Sequence, residues 1–326
     1  MAGMVWMFSG QGAQRPGMAK DLFDSFDAVK ALFKRADELL DLPLSRYVLE
    51  GPEEILRDTA VQQPAIMLAS LAALKALQIV AADNGAAIPP VAALGLSLGE
   101  YTALCAAGSL SEDDALRLVR KRGELMKKAA DACPGGMASI LGATAEAVET
   151  ACREAAAATG ALVAAANYNC PGQIVIGGQE AGLAKAIEIL KSRGAGRAVR
   201  LKVSGAFHTA LMEPAREALR EELRRTNIAR ASFDVIANVS ASPVREPEDI
   251  RRSLEMQMTS PVRFEQSVRF LIGRGANRFV ELGPGGILAG MVKRMDAAVA
   301  AVPCGTLGEI RGFVGSLAAD GGAMKK

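Results

Sequence analysis

Short apolar runs punctuate the chain: MVWMF at Met4–Phe8, VAALGL at Val91–Leu96, ASILG at 138–142, ALVAAAN at 161–167, QIVIGG at 173–178, FDVIANV at 233–239 and RFVELG at 278–283. Amphipathic stretches with helical spacing lie between them. Alternation of that kind predicts an α/β protein with a largely parallel sheet, because buried parallel strands are apolar on both faces and helices must cross between them. One region departs from the rhythm. Between about Gly136 and Val203 the order is strand (Met137–Leu141), helix (Thr144–Ala158), strand (Leu162–Ala166), strand (Gln173–Ile176), helix (Glu180–Ser192), strand (Arg197–Leu201). This split β-α-β-β-α-β order predicts a small subdomain at 136–203. It is inserted into a larger, discontinuous domain of residues 1–135 and 204–326. The tail from about Leu307, ending in AADGGAMKK, carries no motif and is expected to fray.

Composition narrows the chemistry. The chain has 326 residues, enough for a sizeable core, half of them apolar and few aromatic, with a formal net charge of +2. Lys and Arg are scattered rather than blocked, which argues against nucleic acid as a partner. Five cysteines, Cys105, Cys133, Cys152, Cys170 and Cys304, are odd in number and lack CxxC or Cys/His metal spacing. Neither a disulfide framework nor a metal site is expected, and a reducing cytoplasm fits. The start, MAGMVWMFSGQG, reads as a strand entering a glycine loop rather than a targeting segment, and no apolar run is read as a membrane span.

The candidate chemistry begins at GLSLGE, Gly95–Glu100, where a serine lies between two glycines after a strand and before a helix. A Gly-x-Ser-x-Gly turn at that place is a nucleophile elbow, with the helix N-terminus offering N–H groups to an oxyanion. The same serine could equally be a helix cap. Downstream, SEDDALRLVRKRGELMKKAADAC opens with a Ser-x-x-Asp capping box and continues with helical periodicity. Ala115, Leu118, Val119, Leu125, Met126 and Ala129 form its apolar stripe, and Arg122 falls near the middle of it. A guanidinium directed inward needs an anion, either an internal carboxylate or an anionic ligand. The only histidine of the chain, His208, lies in a loop, GAFHTALM, that leads into a helix. It is the candidate base for Ser97.

FSGQGAQRPGM, TAVQQPA, GLSLGEYTAL, RKRGELM, NYNCPGQIVIGG, GAFHTALM, QMTSPVRF and ELGPGGIL occur in this order from about Met4 to Arg294. In that order they resemble malonyl-CoA:acyl-carrier-protein transacylases. The resemblance implies a large α/β-hydrolase-like domain with an inserted ferredoxin-like subdomain. It further implies Ser97 as nucleophile, His208 as general base and Arg122 as the partner of the malonyl carboxylate. Gln11 and the backbone N–H of Leu98 match the oxyanion hole, and the main-chain carbonyl of Gln257 matches the group that orients the histidine. Phe207 resembles a phenylalanine beside the base in malonyl-selective members, where methylmalonyl-selective relatives have a smaller residue. In one respect the chain departs from the pattern: Leu96 stands where the family usually has histidine, so any polar contact of that histidine is missing. The implied substrate is malonyl-CoA and the implied acceptor an acyl carrier protein bearing phosphopantetheine, with no cofactor, metal or membrane, in fatty acid or polyketide synthesis. Two other classes fit parts of the pattern. A serine esterase or thioesterase would place an Asp or Glu between serine and histidine in chain order, and a non-catalytic homologue would only dock a carrier protein.

Overall fold

The computed structural model describes residues 3–323. Its strands are β1 (Gly3–Phe8), β2 (Ala92–Gly95), β3 (Gly136–Leu141), β4 (Val163–Cys170), β5 (Gln173–Gly178), β6 (Arg197–Arg200), β7 (Asp234–Ile236), β8 (Pro243–Val244), β9 (Ala276–Leu282) and β10 (Ala300–Cys304). They form two sheets. The larger has the order β10-β9-β1-β2-β7-β8, parallel throughout except for the antiparallel edge strand β8. The smaller, β4-β5-β3-β6, is antiparallel throughout. This is the mixed α/β architecture that the alternation implied. Every residue of β1 and β2 is buried, which is why their sequences run apolar without alternation: parallel strands are covered on both faces.

Strands from before residue 136 and after residue 203 share the larger sheet, while β3–β6 and the helices Ala145–Thr159 and Glu180–Ser192 make the smaller unit. The two units are joined where β4 meets the loop before residue 263. The N–H of Tyr168 donates to the Val262 carbonyl at 2.8 Å, and the N–H of Val262 to the Ala166 carbonyl at 2.9 Å.

Three expectations are corrected. The tail does not fray at Leu307: a helix spans Leu307–Ala323 and buries Ile310, Phe313 and Val314 in the main core. Those residues recur at helical spacing, a signal that the neighbouring glycines obscure. The last three residues of the tail, 324–326, lie outside the described residues. The apolar pattern predicts no strand at β8 or β10, which are two and five residues long with a proline in each. Finally, the helix Thr59–Asp83 is long and apolar enough to cross a membrane. It is nevertheless the central core helix, apolar all round because other helices enclose it.

That helix and Glu112–Ala132 set the depth of the site. They approach so closely at Gly123 that a Cβ there would lie 2.5 Å from the Thr59 carbonyl oxygen. Pro64 has no N–H for the Ala60 carbonyl one turn back, and Arg120 Nη1 takes that carbonyl instead at 2.9 Å. The neighbouring residues Gln63 and Arg122 are thereby brought face to face inside.

Candidate active site

At the end of β2 the chain turns sharply into the helix Gly99–Ala106. The turn is possible only with glycine on both sides of the serine. A Cβ on Gly95 would sit 2.0 Å from the Gly99 carbonyl carbon, and one on Gly99 would sit 2.1 Å from the Phe8 carbonyl oxygen. Ser97 itself takes φ 55°, a left-handed conformation rare for serine. Its N–H donates to Asn238 Oδ1 at 2.7 Å, and Asn238 Nδ2 donates back to the Gly95 carbonyl at 2.7 Å, so one amide clamps both ends of the turn. Gly95→Ala is expected to destabilise the protein by about 3 kcal/mol, since the clash is with backbone that cannot move aside. Thermal denaturation checks it, and an unchanged Tm would contradict the elbow geometry.

Ser97 Oγ lies 2.8 Å from His208 Nε2. His208 Nδ1 lies 2.9 Å from the main-chain oxygen of Gln257. A carbonyl only accepts, so the proton is on Nδ1 and Nε2 is left bare to receive the serine proton. Burial and the neighbouring Arg122 lower the His208 pKa to about 4, against the support of backbone oxygens at Gln257 and Ser260. The imidazole is therefore neutral at pH 7, the form a base requires.

Arg122 is fully buried, as the stripe on its helix implied. Its Nη1 donates to Gln63 Oε1 at 2.6 Å, and its Nη2 donates to Ser97 Oγ and Gln257 Oε1, both at 2.9 Å. The guanidinium lies over the Tyr101 ring, 5.3 Å from its centroid. Burial works against its charge, which Tyr101 and Glu100 partly support. Among the described residues its Nε–H has no acceptor. A buried, unspent donor on a cation beside a serine hydroxyl could hold an anion such as a planar carboxylate.

The serine opens onto a cavity of about 190 Å³ between the two sheets, lined by Gln11, Leu96, His208 and Met291 on one side and by Met137 and Val175 on the other. Phe207, 3% exposed, is part of its wall. Gln11 Nε2 donates to Gln62 Oε1 at 2.6 Å, which leaves its second amide N–H for the cavity. No acceptor among the described residues takes the N–H of Leu98, at the start of the helix behind the serine. Leu96 is half-buried against the apolar cluster that includes Met291. A larger cleft, about 480 Å³, runs past Thr144 and Arg269, and neither Ser97 nor His208 lines it. Among the described residues no group of three or more His, Cys, Asp or Glu could hold a metal ion.

The structure thus brings Ser97, His208, Arg122, Gln11, Leu98, Gln257 and Phe207 to one place. Residues matching the acyl transferase domain family extend over 5–311. The chain belongs to that family, among its malonyl-CoA:acyl carrier protein transacylases. It is 46% identical over 296 residues to the Bacillus subtilis malonyl CoA-acyl carrier protein transacylase, 91% of each chain being covered. The Clostridium perfringens transacylase structure matches with a TM-score of 0.92 at 35% identity over the whole of both chains. A malonyl-transacylase solved in complex with its type II acyl-carrier protein matches with a TM-score of 0.90 at 35% identity, covering 97% of this chain and all of that one. Within this acyl transferase frame, four polar residues had no role assigned from sequence: Gln62, Gln63, Glu100 and Asn238. Gln62 and Gln63 lie in the TAVQQPA segment, where two polar side chains in a largely apolar stretch, buried from Thr59 to Leu74, are the signal. Asn238 ends an apolar run and Glu100 opens a helix, positions at which polar residues are ordinary.

Proposed function

We propose that this chain transfers the malonyl group of malonyl-CoA to the phosphopantetheine thiol of an acyl carrier protein, through a malonyl ester on Ser97. The observation that carries this reading is a serine oxygen held 2.8 Å from a neutral histidine and 2.9 Å from a fully buried arginine with an unspent N–H. His208 Nε2 takes the Ser97 proton as Oγ attacks the thioester carbonyl carbon. The carbonyl π pair moves to oxygen, which the Leu98 N–H and the free amide N–H of Gln11 stabilise. Collapse expels the coenzyme A sulfur, which takes the proton from His208. The carrier thiol then gives its proton to His208, attacks the ester, and Ser97 leaves with that proton. No atom changes oxidation state, so no redox group is required. Arg122 pairs with the free carboxylate of the acyl group, which takes the place of Ser97 Oγ on the guanidinium once the oxygen is esterified. An esterase would have a carboxylate on His208 Nδ1, where this chain has the Gln257 carbonyl. Five free cysteines, three of them buried, fit a reducing cytoplasm. The product feeds carbon-chain extension in fatty acid or polyketide synthesis. Incubation with labelled malonyl-CoA and a phosphopantetheinylated carrier protein tests the reading. Label is expected on the carrier, and an unlabelled carrier overturns it.

Phe207 is expected to exclude a 2-methyl branch, because its ring fills the wall next to the base. Phe207→Ser should move the malonyl-to-methylmalonyl ratio of kcat/KM toward methylmalonyl by about tenfold or more, the scale of one methyl group in an apolar pocket. An unmoved ratio in a folded variant would leave Phe207 as a packing residue only.

A further inference from the structure

Beneath the elbow lies a carboxylate that the acyl-transfer steps do not use. Glu100 is fully buried in the first turn of the helix behind Ser97. Its Oε2 accepts the N–H of Asn238 at 2.9 Å and Gln257 Nε2 at 2.8 Å, and its Oε1 faces the Ser253 hydroxyl at 3.4 Å. Gln257 Nε2 also reaches the Ser97 carbonyl at 3.0 Å and Asn238 Oδ1 at 3.3 Å. Every group around that nitrogen is an acceptor, so the amide of Gln257 is fixed with its nitrogen toward Glu100 and its oxygen toward Arg122 Nη2. The reversed amide would aim oxygen at a carboxylate and nitrogen at a guanidinium, two repulsive contacts in a dry site.

We propose that Glu100 is a positioning residue for malonyl selectivity: by orienting the Gln257 amide it holds Arg122 beside Ser97 and the Gln257 carbonyl on His208. The inference rests on the acyl-transfer reading above, in which Arg122 receives the malonyl carboxylate. Glu100 offers Gln257 Nε2 an acceptor oxygen in either protonation state without occupying the guanidinium, because one glutamine side chain stands between them. A direct Glu–Arg pair would consume the donors that the substrate needs.

Its surroundings also couple the carboxyl to the substrate charge. Arg122, from the helix Glu112–Ala132, is the charged group that acts on it. On its own helix, Tyr101 is pushed up to about 12 and stays neutral. Asn238, Ser253 and Gln257 are uncharged, and His208, behind Gln257, is neutral above about pH 4. Burial raises the Glu100 carboxyl to about 7, opposed by the hydrogen bonds from Asn238 and Gln257 and then by Arg122. Below that pH the carboxyl is neutral and Arg122 is free to balance the malonyl carboxylate. Above it, two anions compete for one cation. Malonyl selectivity should therefore fall as pH rises through about 7.

The test is the malonyl-to-acetyl ratio of kcat/KM for acylation, measured from pH 6 to 8 on the wild type, Glu100→Gln and Glu100→Ala. A ratio cancels the pH dependence of His208 and of the thioester. In the wild type it should fall about tenfold across the range, the scale of a like-charge interaction in a partly desolvated site. Glu100→Gln keeps an acceptor for Gln257 and loses the charge, so its ratio should be flat. Glu100→Ala lets the amide turn, and its ratio should drop about tenfold or more at every pH. Glu100→Gln running parallel to the wild type overturns the proposal, whether or not Glu100→Ala folds. So does a folded Glu100→Ala with the wild-type ratio. Failure of the acyl-transfer reading would look different: the wild type would form no acyl-enzyme from either thioester, or would use acetyl and malonyl equally if only the role of Arg122 were wrong.

Discussion

Ser97→Ala is expected to abolish covalent acylation and to lower malonyl transfer about 10⁵- to 10⁶-fold, the scale seen when a nucleophile is removed from a working site. The substitution deletes one oxygen and keeps the elbow, whose strain is met by Gly95, Gly99 and the Asn238 clamp rather than by the hydroxyl. Loss of activity should therefore occur without loss of fold. His208→Ala should slow both half-reactions by several orders of magnitude, because the same nitrogen takes the serine proton in one and the carrier-thiol proton in the other. In the wild type the acid limb of acylation should lie near pH 4, where His208 gains its proton, well below the ordinary histidine range. Stopped-flow acylation across pH reads this limb, and a limb near 6.5 would mean that the imidazole is not desolvated as described.

Arg122→Ala is the second large effect. A bidentate charge-assisted contact in a buried pocket contributes about 3–5 kcal/mol, so kcat/KM for malonyl-CoA should fall about 10²- to 10⁴-fold. Acetyl-CoA has no carboxylate to lose, and its transfer or hydrolysis should rise in relative terms. The same substitution strands Gln63 Oε1 and Gln257 Oε1. Some loss of stability is thus expected as well, and selectivity must be measured on the folded fraction. A folded variant with unchanged malonyl-to-acetyl ratio would make Arg122 a structural residue.

Much of this arrangement was legible in the sequence because it depends on local spacing. The elbow needs glycine at both ends, and Arg122 betrays itself by lying in an apolar stripe. The split order of the smaller unit was visible because each element is bounded by glycine or proline, and its observed helix Glu180–Ser192 coincides with the expected one. Other features are set by tertiary contacts between distant segments. Glu100 and Asn238 are 138 residues apart and meet only because β2 and β7 are neighbours in the sheet. Nothing in either local sequence announces that contact. The histidine-orienting carbonyl of Gln257 came from resemblance alone, since a backbone oxygen leaves no trace in a side-chain pattern. The helix Thr59–Asp83 misleads in the other direction: its composition is that of a membrane span, and only the helices packed around it show it to be a core element.

The central claim is a malonyl ester on Ser97 that forms from malonyl-CoA and is discharged by a carrier thiol. Mass spectrometry of the intact protein after incubation with malonyl-CoA, followed by peptide mapping, tests it most directly. One malonyl group is expected per chain, on the peptide containing Ser97, lost when phosphopantetheinylated carrier protein is added and absent from Ser97→Ala. A protein that turns over malonyl-CoA with no adduct, or a Ser97→Ala variant that still carries one, would contradict the account.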